Sequence, residues 1–138
     1  MQPVLNVEDI KAVETRLSDA GVSISELMHR AGGAAAQEVL RLGDVSRAVV
    51  LAGFGNNGGD GWVAAEELKA AGVDVRVVTP CEPDQLHSDL ARMVAKAAVE
   101  AGVVYVVGPA RDELDVLLGG CDAVLDAILG TGFHDAPV

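Results

Sequence analysis

Ala48-Val49-Val50-Leu51-Ala52-Gly53-Phe54-Gly55-Asn56-Asn57-Gly58-Gly59-Asp60-Gly61 is the stretch around which the rest of the chain is organised. Its opening residues, Ala48 to Ala52, are an apolar run short enough for one buried strand. The nine residues that follow hold five glycines, two adjacent asparagines and one aspartate. From Trp62 to Ala71, apolar residues return at helical spacing, at Ala64, Ala65, Leu68 and Ala71. Strand, glycine loop and helix in that order put backbone N–H groups at the positive end of a helix, where an anionic ligand can sit. Asp60 is expected to cap that helix by accepting from its first N–H groups. A tight turn needs only a glycine or two for positive φ. Five of them flanking paired amides point to a ligand, and Gly58 and Gly59 are expected to leave space for its phosphate or ribose.

The whole chain sets the bounds. At 138 residues it reads as a single domain. Half of it is apolar but only 3 % is aromatic, so alanine, valine, leucine and glycine must fill the core, which suits close packing of helices on a sheet. The net charge of −11 leaves no basic stripe to neutralise phosphates, and nucleic acid is excluded as a partner. Cys81 and Cys121 lack metal-ligand spacing and read as reduced, incidental thiols. No run approaches the ~18 apolar residues of a membrane helix, and the N-terminus has no signal-type apolar region, so a soluble, cytoplasmic protein is expected.

Upstream of the loop, Ile10, Val13 and Leu17 give a helix over 7–20, ended by Gly21. A second helix, capped by Ser23 or Ser25, runs through Leu27, Met28, Ala31, Ala35 and Val39. Gly32-Gly33 inside it costs roughly 1 kcal/mol per glycine relative to alanine, and the return is close backbone approach to a neighbour. Downstream, Asp74–Thr79 reads as a second strand closed by Pro80 and Pro83. Leu86, Leu90, Met93, Val94 and Ala97 form the next helical stripe. Val103–Val107 reads as a third strand, buried on both faces because it shows no polar alternation. A short helix over 112–118 then leads to a fourth strand over 122–126. The expected fold is therefore α/β: a Rossmann-like, three-layer α/β/α arrangement with a parallel sheet, preceded by two helices. Ile128–Val138 looks like the start of another crossover, so the C-terminal part of the domain is expected to lie beyond this stretch.

Gly53-x-Gly55-x-x-Gly58 formally fits the dinucleotide fingerprint. That motif also wants an acid at the end of the next strand, and Thr79 and Pro80 stand there. A standard nicotinamide dehydrogenase is thereby weakened. No Lys-Ser or Lys-Thr follows the glycines, which rules out a phosphate loop of the nucleotide-hydrolase kind. Asp126, set between apolar residues, is expected to be partly buried, which is costly unless a cation or several donors meet it. In a doubly wound sheet the loop strand and the last strand are neighbours where the winding reverses. The side-chain oxygens of Asn57 and Asp126 could then converge on a hard cation, with Gly130-Thr131-Gly132 as a second anion-binding turn. The alternative for Asp126 is a turn cap that needs no metal.

Three segments together are diagnostic. GFGNNGGDGWVAA closely resembles the glycine loop of the YjeF N-terminal domain family, the NAD(P)H-hydrate epimerases. Leu27-Met28-His29-Arg30-Ala31-Gly32 resembles that family's LMERAG helix, and Asp126-Ala127-Ile128-Leu129-Gly130-Thr131-Gly132 resembles its DALLGTG. The resemblance implies an epimerase that interconverts the S and R hydrates of NADH and NADPH, in concert with an ADP- or ATP-dependent dehydratase, separate or fused. It also implies that Asn56, Asn57, Gly58, Gly59 and Asp60 contact substrate and that Asn57 and Asp126 hold K+. Gly130, Thr131, Gly132, Phe133, His134, Asp135 and Ala136 would line the pyrophosphate side. Some relatives of the family keep the fold as dimerisation or interaction modules. The alternative reading is thus a non-catalytic dinucleotide-binding or dimerising module, and a homodimer fits either case.

The sequence departs from the family at His29, where glutamate is usual, and at Phe133-His134-Asp135, which lacks a common arginine. His29 and His87 are expected to be solvent-facing helix residues. Epimerisation asks for loss of hydroxide to an iminium, addition of water to the other face, and a carboxylate as general acid/base. Asp126 is the candidate for that role, although a metal ligand is a poor proton shuttle.

Overall fold

Short β-branched runs alternate with alanine-rich helical segments, and in a computed structural model of the chain they stack as a sheet between helices. The structure describes residues 3–6 and 23–128. Its elements are β1 (Val4–Asn6), α1 (Ile24–Leu40), β2 (Arg47–Ala52), α2 (Asn56–Ala70), β3 (Asp74–Thr79), a 3₁₀ turn (Pro83–Gln85), α3 (Asp89–Glu100), β4 (Val104–Val107), α4 (Arg111–Gly119) and β5 (Ala123–Ala127). The helix expected over 7–20 lies outside the described residues.

All strand pairs are parallel, in the order β1-β5-β2-β3-β4. β2 and β5 are neighbours with Leu51 opposite Asp126, so the winding reverses between them as expected. The fold is α/β with helices on both faces. Val50, Ala52, Val77, Leu125 and Ala127 bury one face against α1, α2 and α3, while Val49 and Val124 pack on the other against Leu117 and Leu118 of α4.

Four local expectations change. A fifth strand, Val4–Asn6, joins the sheet beside β5. β4 is an edge strand rather than one buried on both faces: Val104 and Val107 are exposed, because nothing in the described sheet pairs with its outer side. An unbroken apolar run looks the same in either place. In α3 the buried residues are Ala91, Val94, Ala95 and Ala98, Met93 points to solvent, and Leu86 is buried from the preceding loop. Finally α2 begins at Asn56, so most of the glycine stretch, Asn56 to Gly61, is helix rather than loop.

Gly32 does what its cost implied. A Cβ there would lie 2.5 Å from the Cβ of Val63 and 2.8 Å from the Asp60 carbonyl oxygen, so the glycine is what lets α1 cross α2 at backbone range.

Candidate functional site

The site is built where β2 ends. Gly53 donates its N–H to the Ala127 carbonyl (3.1 Å), which extends the β2–β5 pairing one step past the strand and anchors the loop over β5. A Cβ on Gly53 would lie 2.5 Å from the carbonyl oxygen of Ile128, and one on Gly61 would lie 2.8 Å from the Cβ of Ala127. The loop and the start of α2 thus lie directly on the carboxyl end of β5. The first turn of a helix leaves its N–H groups without intrahelical partners. In α2 that turn is Asn56-Asn57-Gly58, and the Gly59 N–H bonds back to the Gly55 carbonyl (3.1 Å).

Asp60 does not cap α2. The N-cap is Gly55, without a side-chain bond, and Asp60 lies inside the helix, fully buried. The cap expectation failed because the helix starts four residues before Asp60, on asparagine and glycine residues of poor helix propensity. Asn57 is also buried, at 8 % exposure, whereas Asn56 is exposed. Asn56 accepts from the Ser88 hydroxyl (2.5 Å), and Ser88 in turn caps α3 by accepting from the Ala91 N–H (3.0 Å). The starts of α2 and α3 are therefore tied together. Gly58 and Gly59 leave no gap for a ligand at their α-carbons: the space beside them is filled by Gly53 and by the Met28 side chain.

Asp126 is half-buried at the end of β5, and its Oδ1 accepts from the Ile128 N–H (3.0 Å). The turn-capping role is real and engages one of its oxygens. Its strand neighbour Ala127 meets α2, so Asp126 lies on the opposite, α4 side of the sheet, whereas Asn57 is buried in the first turn of α2. Among the described residues no cluster of three or more His, Cys, Asp or Glu side chains could hold a metal ion. Gly130 to Ala136, including His134, lie outside the described residues.

A cleft of about 610 Å³ opens beside the loop across the carboxyl ends of β2 and β3. Leu51, Val78, Pro80 and Pro109 wall it, and Phe54 and His87 form its lip. The sequence reading missed this lip. His87 lies in the loop before α3, not in a helix, and stacks on Phe54 with ring centroids 4.5 Å apart and planes 13° apart. Pro80 and Gly108-Pro109, the breaks that close β3 and β4, were the signal available, because they mark the same sheet edge as the loop. His29 is an exposed helix residue as expected, its Nδ1 2.8 Å from the Ser25 carbonyl oxygen.

Both thiols are set against reactivity. Burial pushes Cys81 up, with Asp84 and Glu82 adding to it, and burial likewise raises Cys121. A thiol with a raised pKa is a poor nucleophile and a poor metal ligand at neutral pH.

The family described as YjeF-related protein N-terminus matches residues 24–137. The chain belongs to that family. Among similar proteins, a bifunctional NAD(P)H-hydrate repair enzyme Nnr of Hyperthermus butylicus is 37 % identical over 130 residues, 94 % of this chain and 24 % of the relative. An NAD(P)H-hydrate epimerase of Pirellula staleyi is 36 % identical over 115 residues, 80 % of this chain and 50 % of its own length. The chain therefore spans about a quarter to a half of these relatives. The yeast protein ynu0 (YNL200c) has a solved structure that superposes with a TM-score of 0.73 at 25 % identity, covering 98 % of this chain and 59 % of its own. No helix among the described residues of this YjeF-related chain is long and apolar enough to cross a membrane.

Proposed function

We propose that this chain carries the epimerase function of nicotinamide nucleotide repair, interconverting the S and R hydrates of NADH and NADPH for a dehydratase to restore. The observation that carries the reading is the placement of Asn56 to Asp60 as the opening of α2 over the β2–β5 switch point, where an open α/β sheet binds its ligands. The epimerase and repair-enzyme names of its relatives support the same reading.

The same reading assigns the substrate sites. The amino-terminal turn of α2 would receive a phosphate or another electron-rich group, with Asn56 holding its amide outward. Asn56 accepts from Ser88 through Oδ1, so the group it offers to a ligand is its N–H₂ donor. The hydrated ring carbon beside the nitrogen loses hydroxide to give an iminium cation, and water adds to the other face. Asp126 is the candidate to protonate the leaving hydroxide and accept the proton back from the entering water. Fully buried Asp60 has no solvent-facing oxygen for that task. The chain's charge of −11 favours the cationic intermediate.

Potassium fits the donor chemistry. Asn57 and Asp126 offer oxygen ligands, and the thiols are elsewhere, at Cys81 after β3 and Cys121 before β5. When bound, the ion would supply a fixed positive charge next to Asp126 and the ligand's anionic groups. Binding of the hydrates, the potassium requirement, a homodimer and a cytoplasmic setting all belong to this proposal. Its test is to give the protein one purified NADPH-hydrate epimer in potassium buffer and follow the other epimer by chromatography. Equilibration no faster than in protein-free buffer rejects it.

A further inference from the structure

Clefts on the described surface differ in the charge of their linings. One is lined by Asp74 with Arg47 and Arg76, and another by Glu82, Asp84 and Glu100 with Arg92 and Lys96. Among the described residues, the cleft under Phe54 and His87 is lined by no Asp, Glu, Lys or Arg. An apolar, uncharged lining of this kind suits the flat face of a ring rather than the phosphates themselves. The cleft's volume of about 610 Å³ is ample for a planar ring and part of a sugar.

The lip is a stack already started. Phe54 and His87 lie nearly parallel at 4.5 Å, each covering one face of the other, and both border the cleft. The pair is held from the backbone: His87 donates its N–H to the Phe54 carbonyl (2.9 Å), and the adjacent Ser88 hydroxyl donates to Asn56 (2.5 Å). The rings therefore keep their place without having to hold the loop together. Phe54 stays 43 % exposed, a large apolar ring left in solvent at the mouth of an apolar cleft.

We propose that the Phe54–His87 pair and the cleft beside it bind a planar heteroaromatic ring of a nucleotide, which continues the stack. The identity of that nucleotide as a pyridine dinucleotide rests on the epimerase reading. Either end of such a ligand, adenine or nicotinamide, has the required chemistry, and the two mononucleotides tell them apart.

The test titrates adenosine 5′-monophosphate, nicotinamide mononucleotide and NADP⁺ into the native protein and into Phe54→Ala, His87→Ala and His87→Phe, by calorimetry. His87→Ala removes the ring but keeps the N–H bond to Phe54, so the loop is retained. The expected result is that one mononucleotide binds and identifies the end, that either alanine variant weakens it about tenfold or more, and that His87→Phe binds as the native protein does. Unchanged affinity in both alanine variants, with NADP⁺ still bound by the native protein, overturns the stacking site and leaves the epimerase reading standing. Ring-dependent nucleotide binding by a protein that does not interconvert the hydrates supports the stacking site and overturns the epimerase reading. Absence of any nucleotide binding by the native protein overturns the stacking site, and interconversion of the hydrates then decides the epimerase reading by itself.

Discussion

Gly58 stands against the peptide of Gly53 with no room for a side chain: a Cβ on Gly58 would overlap the Gly53 carbonyl oxygen and lie 2.8 Å from its carbonyl carbon. Gly59 differs, since its Cβ would meet the Met28 side chain, 2.6 Å from Cε and 2.8 Å from Sδ. Backbone cannot give way there, whereas the tip of a methionine can. Gly58→Ala is therefore expected to cost about 2 kcal/mol or more, at the upper end of overpacking penalties. Gly59→Ala should stay within about 1 kcal/mol, because the gain in helix propensity offsets the shift of Met28. Denaturant unfolding of the two variants decides the matter. Equal costs would mean that the contact with Gly53 does not set the shape of the loop.

Ser88 is expected to join two functions. Ser88→Ala removes the cap of α3, a loss of about 1 kcal/mol, and frees the Asn56 amide to rotate. Ser88→Asp should restore the cap but not the donor to Asn56, so melting temperature recovers while nucleotide affinity does not. Recovery of both in Ser88→Asp would show that the bond to Asn56 is idle.

Asp126→Asn keeps the acceptor for the Ile128 N–H and removes the charge. It should leave the melting temperature nearly unchanged and abolish the difference in NADP⁺ affinity between potassium and potassium-free buffer. If the variant keeps the native potassium response, Asp126 does not hold the ion.

Asp122 ties the other end of the β2–β5 seam. Its Oδ2 accepts from the Arg47 N–H (3.0 Å) and the Ser46 N–H (2.8 Å), and these bonds hold its carboxyl below the ordinary value. A carboxyl depressed in the folded state stabilises above its unfolded pKa, and the contribution is lost as pH falls through the folded value. Asp122→Ala should lower the melting temperature by a constant amount at neutral pH. That difference should shrink as the pH drops below about 3.9. A gap that stays constant down to pH 2 would assign the effect to packing instead of charge.

The fold was legible where local and global signals agreed. Ala48–Ala52 followed by the glycines can only be a strand feeding a helix, and the crossovers that follow made Asp126 a neighbour of that strand. The same pattern could not show Val4–Asn6, three residues too short to carry a period, nor place Val104 and Val107 at an edge. Asp60 was misread because a capping residue and a buried helical aspartate look alike after a glycine run. The Phe54–His87 lip joins residues 33 positions apart, and no spacing rule announces such a pair.

The most direct measurement gives the protein the S epimer of NADPH hydrate in ¹⁸O-labelled water with potassium, and follows epimer and label together by chromatography and mass spectrometry. The predicted result is rapid appearance of the R epimer, far ahead of the protein-free rate, with labelled oxygen on the hydrated carbon, because hydroxide leaves and solvent water returns. An R epimer formed no faster than without protein contradicts the epimerase reading, and one formed rapidly but without label contradicts the step drawn through the iminium.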